Sequence, residues 1–257
     1  MFDLLAIELK RSWILQKRYP LDLVVGIAVM GVSFYALFLG ARYLSGPTTQ
    51  FGDCLDGLII GYGLWTLVVI SMNSIALLIQ GEAQTGTLEQ LYLSIYGPLR
   101  VILTRSASIL AMSLTISIGM LLVMLLLTGR HLSFPPLTLL PLATVVVGAH
   151  GLGLSLGALA LVFKRVQEMM RLFQFSLLAL VIVPVEQWEG LPRLAGMVLP
   201  VTPAAGQLRD LMACGLPFDV SYFSASVVNA AGHLLVGTLL FLWADRVARK
   251  RGLLGQY

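Results

Sequence analysis

The chain has 257 residues, of which 58% are hydrophobic and 12% are charged, and its mean hydropathy is +0.88. A soluble globular domain carries about twice that charged fraction, so the composition excludes a soluble enzyme or binding module. The apolar residues occur in runs of about 20, enough at roughly 1.5 Å per residue to cross a hydrocarbon core of about 30 Å. The sequence therefore predicts an all-α integral membrane protein.

The first 20 residues predict a helix that lies on the membrane surface. One face of this helix is apolar and the opposite face is basic; the apolar residues are Phe2, Leu5, Leu9 and Trp13, and the basic ones are Lys10, Arg11, Lys17 and Arg18. A solvated basic N-terminus is the alternative interpretation. Pro20 ends this helix before the membrane domain, residues 21–257, begins.

Six membrane spans are predicted in the remainder of the chain. They cover about 21–41, 57–80, 99–128, 138–162, 172–185 and 221–243. Between the last two spans lies a proline-rich stretch, in which Thr202 and Pro203 can cap and start a short helix that ends near Gly215. The apolar residues of this short helix indicate that one side rests on the bilayer or dips into it.

The loop between spans two and three, residues 82–98, predicts a short amphipathic helix. Thr87 can serve as its N-cap, with Gln90 completing a capping box. Leu88, Leu91, Tyr92 and Ile95 follow the i, i+3, i+4, i+7 spacing of one apolar face. Gly97 and Pro98 end the helix, and Pro98 suits the first turn of the third span. A helix tied at both ends to membrane spans is well placed to be bound by a partner in the aqueous phase.

The distribution of basic residues predicts the orientation, because cytoplasmic loops carry an excess of Lys and Arg. Of the 17 basic residues, thirteen fall on the side that holds both termini and the 82–98 loop; the four on the other side are Arg42, Arg130, Arg193 and Arg209. Both termini are therefore expected in the cytoplasm. The two cysteines, Cys54 and Cys214, would then share the outer side. A disulfide between them and two separate thiols are the two alternatives. Neither has metal-ligand spacing, so no metal site is expected.

Taken together, the topology and two motifs resemble the permease subunit of type-2 ATP-binding-cassette (ABC-2) transporters. The motifs are E-x-x-x-G-T-L-E at 82–89 and LPVTPAAGQLRDLM at 199–212. The resemblance implies an exporter of an amphiphilic or lipid-linked substrate, such as a glycan, a lipid or a drug, in the cell membrane. It also implies a coupling helix at 82–98 that binds a separate ATPase subunit. The segment at 199–212, with Pro200, Thr202, Pro203 and Arg209, is similar to the family's outer re-entrant segment.

Physical roles can be proposed for the residues that match the first motif. Gly86 allows the turn out of span two, Leu88 is an apolar anchor, and Glu89 favours the positive end of the helix. Glu82 can pair with Arg100 or Arg105 and so couple spans two and three; a solvated carboxylate is the alternative.

The chain contains no G-x-x-x-x-G-K-[ST] loop that could hold phosphates, so we expect no cofactor on it and no ATP hydrolysis by it. ATP and Mg²⁺ would bind the partner subunit. A chain with half the spans of such a pump also implies a second permease, either a copy or a homologue. Membrane lipid is the remaining expected partner, and no nucleic acid is expected.

Polar and aromatic residues inside the spans are candidates for a substrate path. They are Asn73, Tyr62, Trp65, His150, Phe173 and Phe175. Interhelical hydrogen bonds for Asn73 and His150, and also for Asn229 and His233 of span six, are the alternative; the aromatic residues can equally face lipid or pack. The small residues at 148–157 predict close helix packing.

Two rival functions remain open. Residues 153–157 have the form G-x-S-x-G, and with Ser155 in span four and His233 in span six the chain resembles a rhomboid-type intramembrane protease. A channel or transporter that works alone is the other rival, and it would need buried carboxylates at the span centres.

Overall fold

The computed structural model of the protein describes residues 2–45, 52–87, 93, 97–163, 166–182 and 190–250. Every regular element in these ranges is helical, which confirms the all-α prediction. The helices are α1 (Phe2–Arg18), α2 (Pro20–Ser45), α3 (Gly52–Gln84), α4 (Pro98–Thr128), α5 (Leu139–Val162), α6 (Gln167–Ile182), α7 (Leu191–Val198), α8 (Thr202–Met212) and α9 (Val220–Lys250). A 3₁₀ turn at Pro136–Thr138 leads into α5.

Five of the described helical segments are long and apolar enough to cross a membrane. They are Leu23–Tyr43, Asp56–Gln84, Arg100–Thr128, Pro136–Val162 and Val220–Lys250, and they coincide with predicted spans one to four and six. The chain therefore has the architecture of a multi-pass membrane protein. The predicted fifth span falls on α6, which has 16 residues and is about 24 Å long. That is short of a hydrocarbon core of about 30 Å, and residues 183–185 of that prediction lie outside the described part.

Helices α3 and α5 form the centre of the protein. Helix α5 packs most extensively against α9 and α3, through glycines that bring the backbones together. A Cβ atom on Gly237 would lie 2.0 Å from the carbonyl oxygen of Gly151, and one on Gly157 would lie 2.8 Å from Ile75 Cγ2. No side chain fits in these gaps, so the predicted small-residue packing at 148–157 is confirmed. We call the contact of Gly151 with Gly237 the glycine seam.

The outer helices keep broad apolar faces exposed. Val32 on α2, Leu126 on α4 and Val228 on α9 are each highly exposed. Apolar surface of this extent is typical of a protein whose neighbours are lipid chains or another membrane subunit rather than water. The exposed faces and the buried pair α3 and α5 together define a bundle with a solid centre and an apolar exterior.

The segment between α6 and α9 folds onto the central helices. Helix α8 has 11 residues, about 16 Å, too short to span the bilayer, and it packs against α9, α5 and α3. Nearly all its side chains are buried. The predicted start at Thr202 is confirmed, but the predicted cap is wrong. Val201 is the N-cap residue with φ of 68°, and the helix ends at Met212 rather than near Gly215 because a turn begins there.

Candidate functional site

The end of α3 is closed by a glycine turn of the Schellman type. The Gly86 N–H donates to the Ala83 carbonyl at 3.1 Å, and the Thr87 N–H donates to the Glu82 carbonyl at 2.9 Å. Gly86 has φ of 71°, a left-handed conformation that is costly for residues with a Cβ atom. The predicted role of Gly86 in the turn out of span two is therefore confirmed.

Glu82 lies at this turn and binds two partners. The Thr87 hydroxyl donates to Glu82 Oε2 at 2.5 Å, and Arg105 Nη1 of α4 donates to Glu82 Oε1. The predicted pairing of Glu82 with Arg105 is thus confirmed, and the alternative of a solvated carboxylate is wrong. The effect of this ion pair is to fasten the end of α3 to the first third of α4.

Arg105 also binds Glu8 of α1, where its Nε donates to Oε1 at 3.0 Å. We call Glu8, Glu82 and Arg105 the charged triad. Their side chains are 12%, 19% and 22% exposed, so water screens the ion pairs only in part. Arg11 lies 3.7 Å from Glu8, and the four residues together carry no net charge. The triad joins three helices through one guanidinium, an arrangement in which each charge-assisted bond is worth about 1.5–3 kcal/mol.

Glu8 was not among the residues that the sequence marked as functional. One signal does point to it: Glu8 and Asp3 are the only acidic residues before Asp22 in a strongly basic segment. A carboxylate next to several arginines and lysines indicates a specific partner. The hydroxyl groups of Ser12 and Ser108, 3.3 Å apart, add a second contact between α1 and α4.

Most of the predicted coupling helix lies outside the described residues. Those positions are Leu88, Glu89, Gln90, Leu91, Tyr92 and Ile95. The Thr87 hydroxyl was predicted to cap that helix. Within the described residues it donates to the Glu82 carboxylate and lies 2.8 Å from the Thr85 hydroxyl. At the far end of the loop, Gly97 has φ of 75° and Pro98 occupies the first turn of α4, as predicted.

Buried polar side chains hold the α7–α8 segment in place. Arg209 is 5% exposed, and its Nη1 donates to the Val181 carbonyl of α6 at 2.5 Å. Gln207 Nε2 donates to the Asp219 carbonyl at 2.9 Å. Pro203 is buried in the first turn of α8, while Pro200 precedes it and is half-buried. The Thr202 hydroxyl donates to the Pro200 carbonyl at 3.4 Å.

Asn229 of α9 makes the most extensive set of contacts with this segment. Its Nδ2 lies 2.8, 3.2 and 3.0 Å from the carbonyl oxygens of Met197, Val198 and Leu199. Its Oδ1 accepts from the Val201 N–H at 3.4 Å. The interhelical hydrogen-bonding role weighed for Asn229 is therefore observed, and these bonds brace the αL residue that starts α8. We call Asn229 with residues 197–201 the amide clamp.

The residues predicted for a substrate path lie on α3, α5 and α6, and their role in a path stays a prediction. The Tyr62 hydroxyl donates to the Met30 carbonyl of α2 at 3.1 Å, and Trp65 Nε1 donates to the Gln174 carbonyl of α6 at 2.8 Å. These two side chains therefore connect α3 to its neighbours. Phe173 and Phe175 lie on the exposed face of α6, and His150 Nδ1 lies 3.2 Å from the Val146 carbonyl of its own helix. Among the described residues, the buried Oδ1 of Asn73 has no hydrogen-bond partner.

Ser155 and His233, the pair behind the protease alternative, each bond to their own helix. The Ser155 hydroxyl donates to the Gly151 carbonyl at 3.1 Å, and His233 Nδ1 lies 2.9 Å from the Asn229 carbonyl. In the part of the chain that is described, no hydrogen bond joins Ser155 to His233. A nucleophile and its base need a direct hydrogen bond of about 2.6–3.2 Å, so this geometry gives the alternative no support. The Cys54 side chain lies outside the described part, so both alternatives for the two cysteines remain.

The described ranges thus define a multi-pass helical membrane protein with a charged triad at the C-terminal end of α3 and an amide clamp between α9 and the residues before α8. No protein-family model matches the chain, and no curated protein matches its sequence.

Proposed function

We propose that the chain is the transmembrane permease subunit of an ATP-driven exporter of the ABC-2 type. In this proposal six spans cross the cell membrane, with α6 and the residues after it forming the fifth, and both termini face the cytoplasm. The α7–α8 segment is re-entrant from the outer side. A separate subunit binds ATP and Mg²⁺, and a second permease, identical or homologous, completes the pump. The substrate is an amphiphilic or lipid-linked molecule.

The observation that carries this proposal is the charged triad. A pump whose ATPase is a separate chain needs a mechanical connection from the loop that binds the ATPase to the membrane helices. The loop 88–96 leaves α3 directly after Glu82 and Thr87, and it returns to α4 seven residues before Arg105. Any displacement of this loop therefore acts on the contact between α3, α4 and α1. An element that joins three helices through exchangeable ion pairs suits such a connection.

The α8 segment gives further support. A short helix that is buried on nearly all sides and packs at the start of α3 is the geometry that a re-entrant segment requires, because its backbone ends are satisfied by protein rather than lipid. The broad apolar faces that α2 and α9 expose suit a second permease subunit as well as lipid.

The test is a substitution in the predicted coupling helix. Tyr92→Asp or Leu91→Asp places a charge on the apolar face, and we expect loss of co-purification with the ATPase and of its stimulation, while membrane insertion is retained. Leu93→Asp is the matched control, because Leu93 falls on the opposite side of the predicted helix and is 83% exposed. Normal ATPase stimulation in the Leu91 and Tyr92 variants would refute the assignment of this loop.

A further inference from the structure

Helix α1 presents two different sides to its surroundings. One side packs against α4 through the charged triad and through the hydroxyls of Ser12 and Ser108, and the half-buried Leu5 and Leu9 lie on that side. The opposite side is exposed, and its apolar and basic side chains follow the three- and four-residue spacing of one helix face. We call its residues the outward face of α1; they are Ile7, Lys10, Ile14 and Lys17, with Arg18 beside them.

The outward face carries a net positive charge. Within the described part of the chain, Lys10, Lys17 and Arg18 have no acidic partner. The Glu8 carboxylate lies on the packed side, where it binds Arg105. Three cations beside exposed apolar side chains therefore await a surface that offers both negative charge and apolar contact.

Aromatic rings accompany two of these cations. Lys17 Nζ lies 5.2 Å from the centre of the Trp13 ring, and the Arg18 guanidinium lies 6.0 Å from the centre of the Tyr19 ring. A ring attracts a cation without neutralising its charge. Trp and Tyr are enriched at the level of the lipid headgroups, because one part of each ring system is apolar and another is polar. The end of α1 thus has the composition of a segment that lies in the headgroup layer.

The connection to α2 determines which surface can cover the outward face. Helix α1 ends at Arg18, α2 begins at Pro20, and the segment of α2 that is able to cross the membrane begins at Leu23. Five residues in helical geometry cover about 8 Å, which is close to the thickness of one headgroup layer, roughly 5–8 Å. Lys17 and Arg18 therefore lie within reach of lipid phosphate groups wherever α2 enters the membrane.

We propose that the outward face of α1 binds the anionic headgroups of phospholipids in the leaflet that holds the N-terminal end of α2. Lys10, Lys17 and Arg18 bind the phosphate groups, while Ile7 and Ile14 enter the boundary between headgroups and acyl chains. Because the opposite side of α1 belongs to the charged triad, the bound lipid also holds α1 against α4. The proposal requires only that α2 crosses the membrane, so its test is independent of the transport proposal.

The experiment uses the full chain in phosphatidylcholine nanodiscs and a phosphatidylglycerol probe that carries a diazirine on its headgroup. We expect photolabelling of α1, mapped by mass spectrometry, that saturates as the mole fraction of the probe rises. Lys17→Gln should raise the half-saturating mole fraction by about 5-fold, and Lys17→Gln with Arg18→Gln by about 25-fold, since each cation adds a similar attraction to the anionic headgroups. Exchanging the two cations, Lys17→Arg with Arg18→Lys, should change it by less than about 2-fold, because both charges remain. Arg171→Gln is the control for net charge, because Arg171 is paired with Glu168 on α6, and it should leave the labelling of α1 unchanged.

Four results would overturn the proposal. Equal effects of Lys17→Gln and Arg171→Gln would show that the net charge of the chain, rather than α1, attracts the lipid. A phosphatidylcholine probe with the same diazirine should label α1 without saturation, and equal saturation by both probes would show that the face does not select anionic headgroups. Displacement of the probe by millimolar glycerol 3-phosphate would assign the cations to a soluble phosphate compound. Absence of labelling on α1 of the wild-type chain would leave an acidic protein surface as the occupant. All variants should keep the wild-type melting temperature in pure phosphatidylcholine discs, because the substituted side chains are exposed.

Discussion

The two ends of α3 are held by different kinds of interaction. Glu82 near its C-terminus belongs to the charged triad, in which side chains bind side chains on three helices. Gly57 near its N-terminus packs against Arg209 of α8, about 38 Å away along the helix axis. There the buried Arg209 of α8 binds the Val181 carbonyl of α6. The amide clamp, which is half-buried, binds the carbonyls of Met197, Val198 and Leu199 just before α8.

This difference has a physical consequence. An ion pair between two flexible side chains can break and re-form with another partner, and salt screens it where water reaches it. A backbone carbonyl is held in place by the chain on both sides, so a side chain that binds one favours a single conformation of that segment. The triad is therefore suited to rearrangement, and the α8 region with its clamp is suited to holding a shape.

The largest effect is expected from Arg105→Gln. This variant leaves Glu8 and Glu82 partly buried without their common cation, and we expect a loss of about 2–4 kcal/mol. For a chain of this size the melting temperature should fall by about 5–10 °C, and α1 should become accessible to protease. Arg105→Lys retains the charge but cannot bind both carboxylates in one plane, so it should recover only part of the loss. A melting temperature unchanged by Arg105→Gln would show that the triad does not hold these helices together.

A smaller effect is expected from Asn229→Ala, which removes the amide clamp. Side-chain hydrogen bonds between membrane helices are worth about 0.6 kcal/mol on average, and several at one residue give about 1–2 kcal/mol. Proteolysis at the α7–α8 junction should increase. Thr238→Ala on the same helix is the control, because within the described residues its hydroxyl donates to the Leu234 carbonyl of its own helix.

The salt response of these two variants sharpens the comparison. Raising the salt concentration should lower the melting temperature of the wild-type protein toward that of Arg105→Gln, whereas the effect of Asn229→Ala should stay constant. If salt changed the effects of Arg105→Gln and Asn229→Ala equally, the distinction between the triad and the clamp would be lost.

The smallest effect is expected from Arg171→Gln on α6. Arg171 pairs with Glu168 at 3.1 Å, and the two side chains are 64% and 81% exposed. Exposed pairs of this spacing contribute at most about 0.5 kcal/mol. The melting temperature should therefore stay within about 2 °C of the wild-type value. If Arg171→Gln lowered the melting temperature as much as Arg105→Gln, the stability that an ion pair contributes would not depend on its shielding from water.

The features that sequence reasoning recovered are those that depend on local pattern. The lengths of the hydrophobic runs predicted the five spans that the structure describes. Glycine and proline predicted the turn at Gly86 and the start of α4 at Pro98. The pairing of Glu82 with Arg105 followed from both residues lying near the ends of adjacent spans. Each of these depends on neighbours in the chain or on a composition rule.

The features that sequence reasoning missed depend on distant contacts. Glu8 meets Arg105 across 97 positions, which no local pattern encodes. Val201 adopts αL although a β-branched residue disfavours it, because Asn229 binds the surrounding backbone; propensity alone assigned the cap to Thr202. The hydrogen bonds of Tyr62 to the Met30 carbonyl and of Trp65 to the Gln174 carbonyl likewise join residues far apart in the chain.

The glycine seam gives α5 and α9 a single register. Where two backbones touch without side chains between them, no rotamer change can accommodate sliding, because a shift by one residue would drive a side chain into the opposite backbone. The two helices must then move together as one rigid body. A shape change in this protein would have to open along the surface of α4, because α4 meets Gly31 of α2 and Gly63 of α3 with side chains rather than with its backbone.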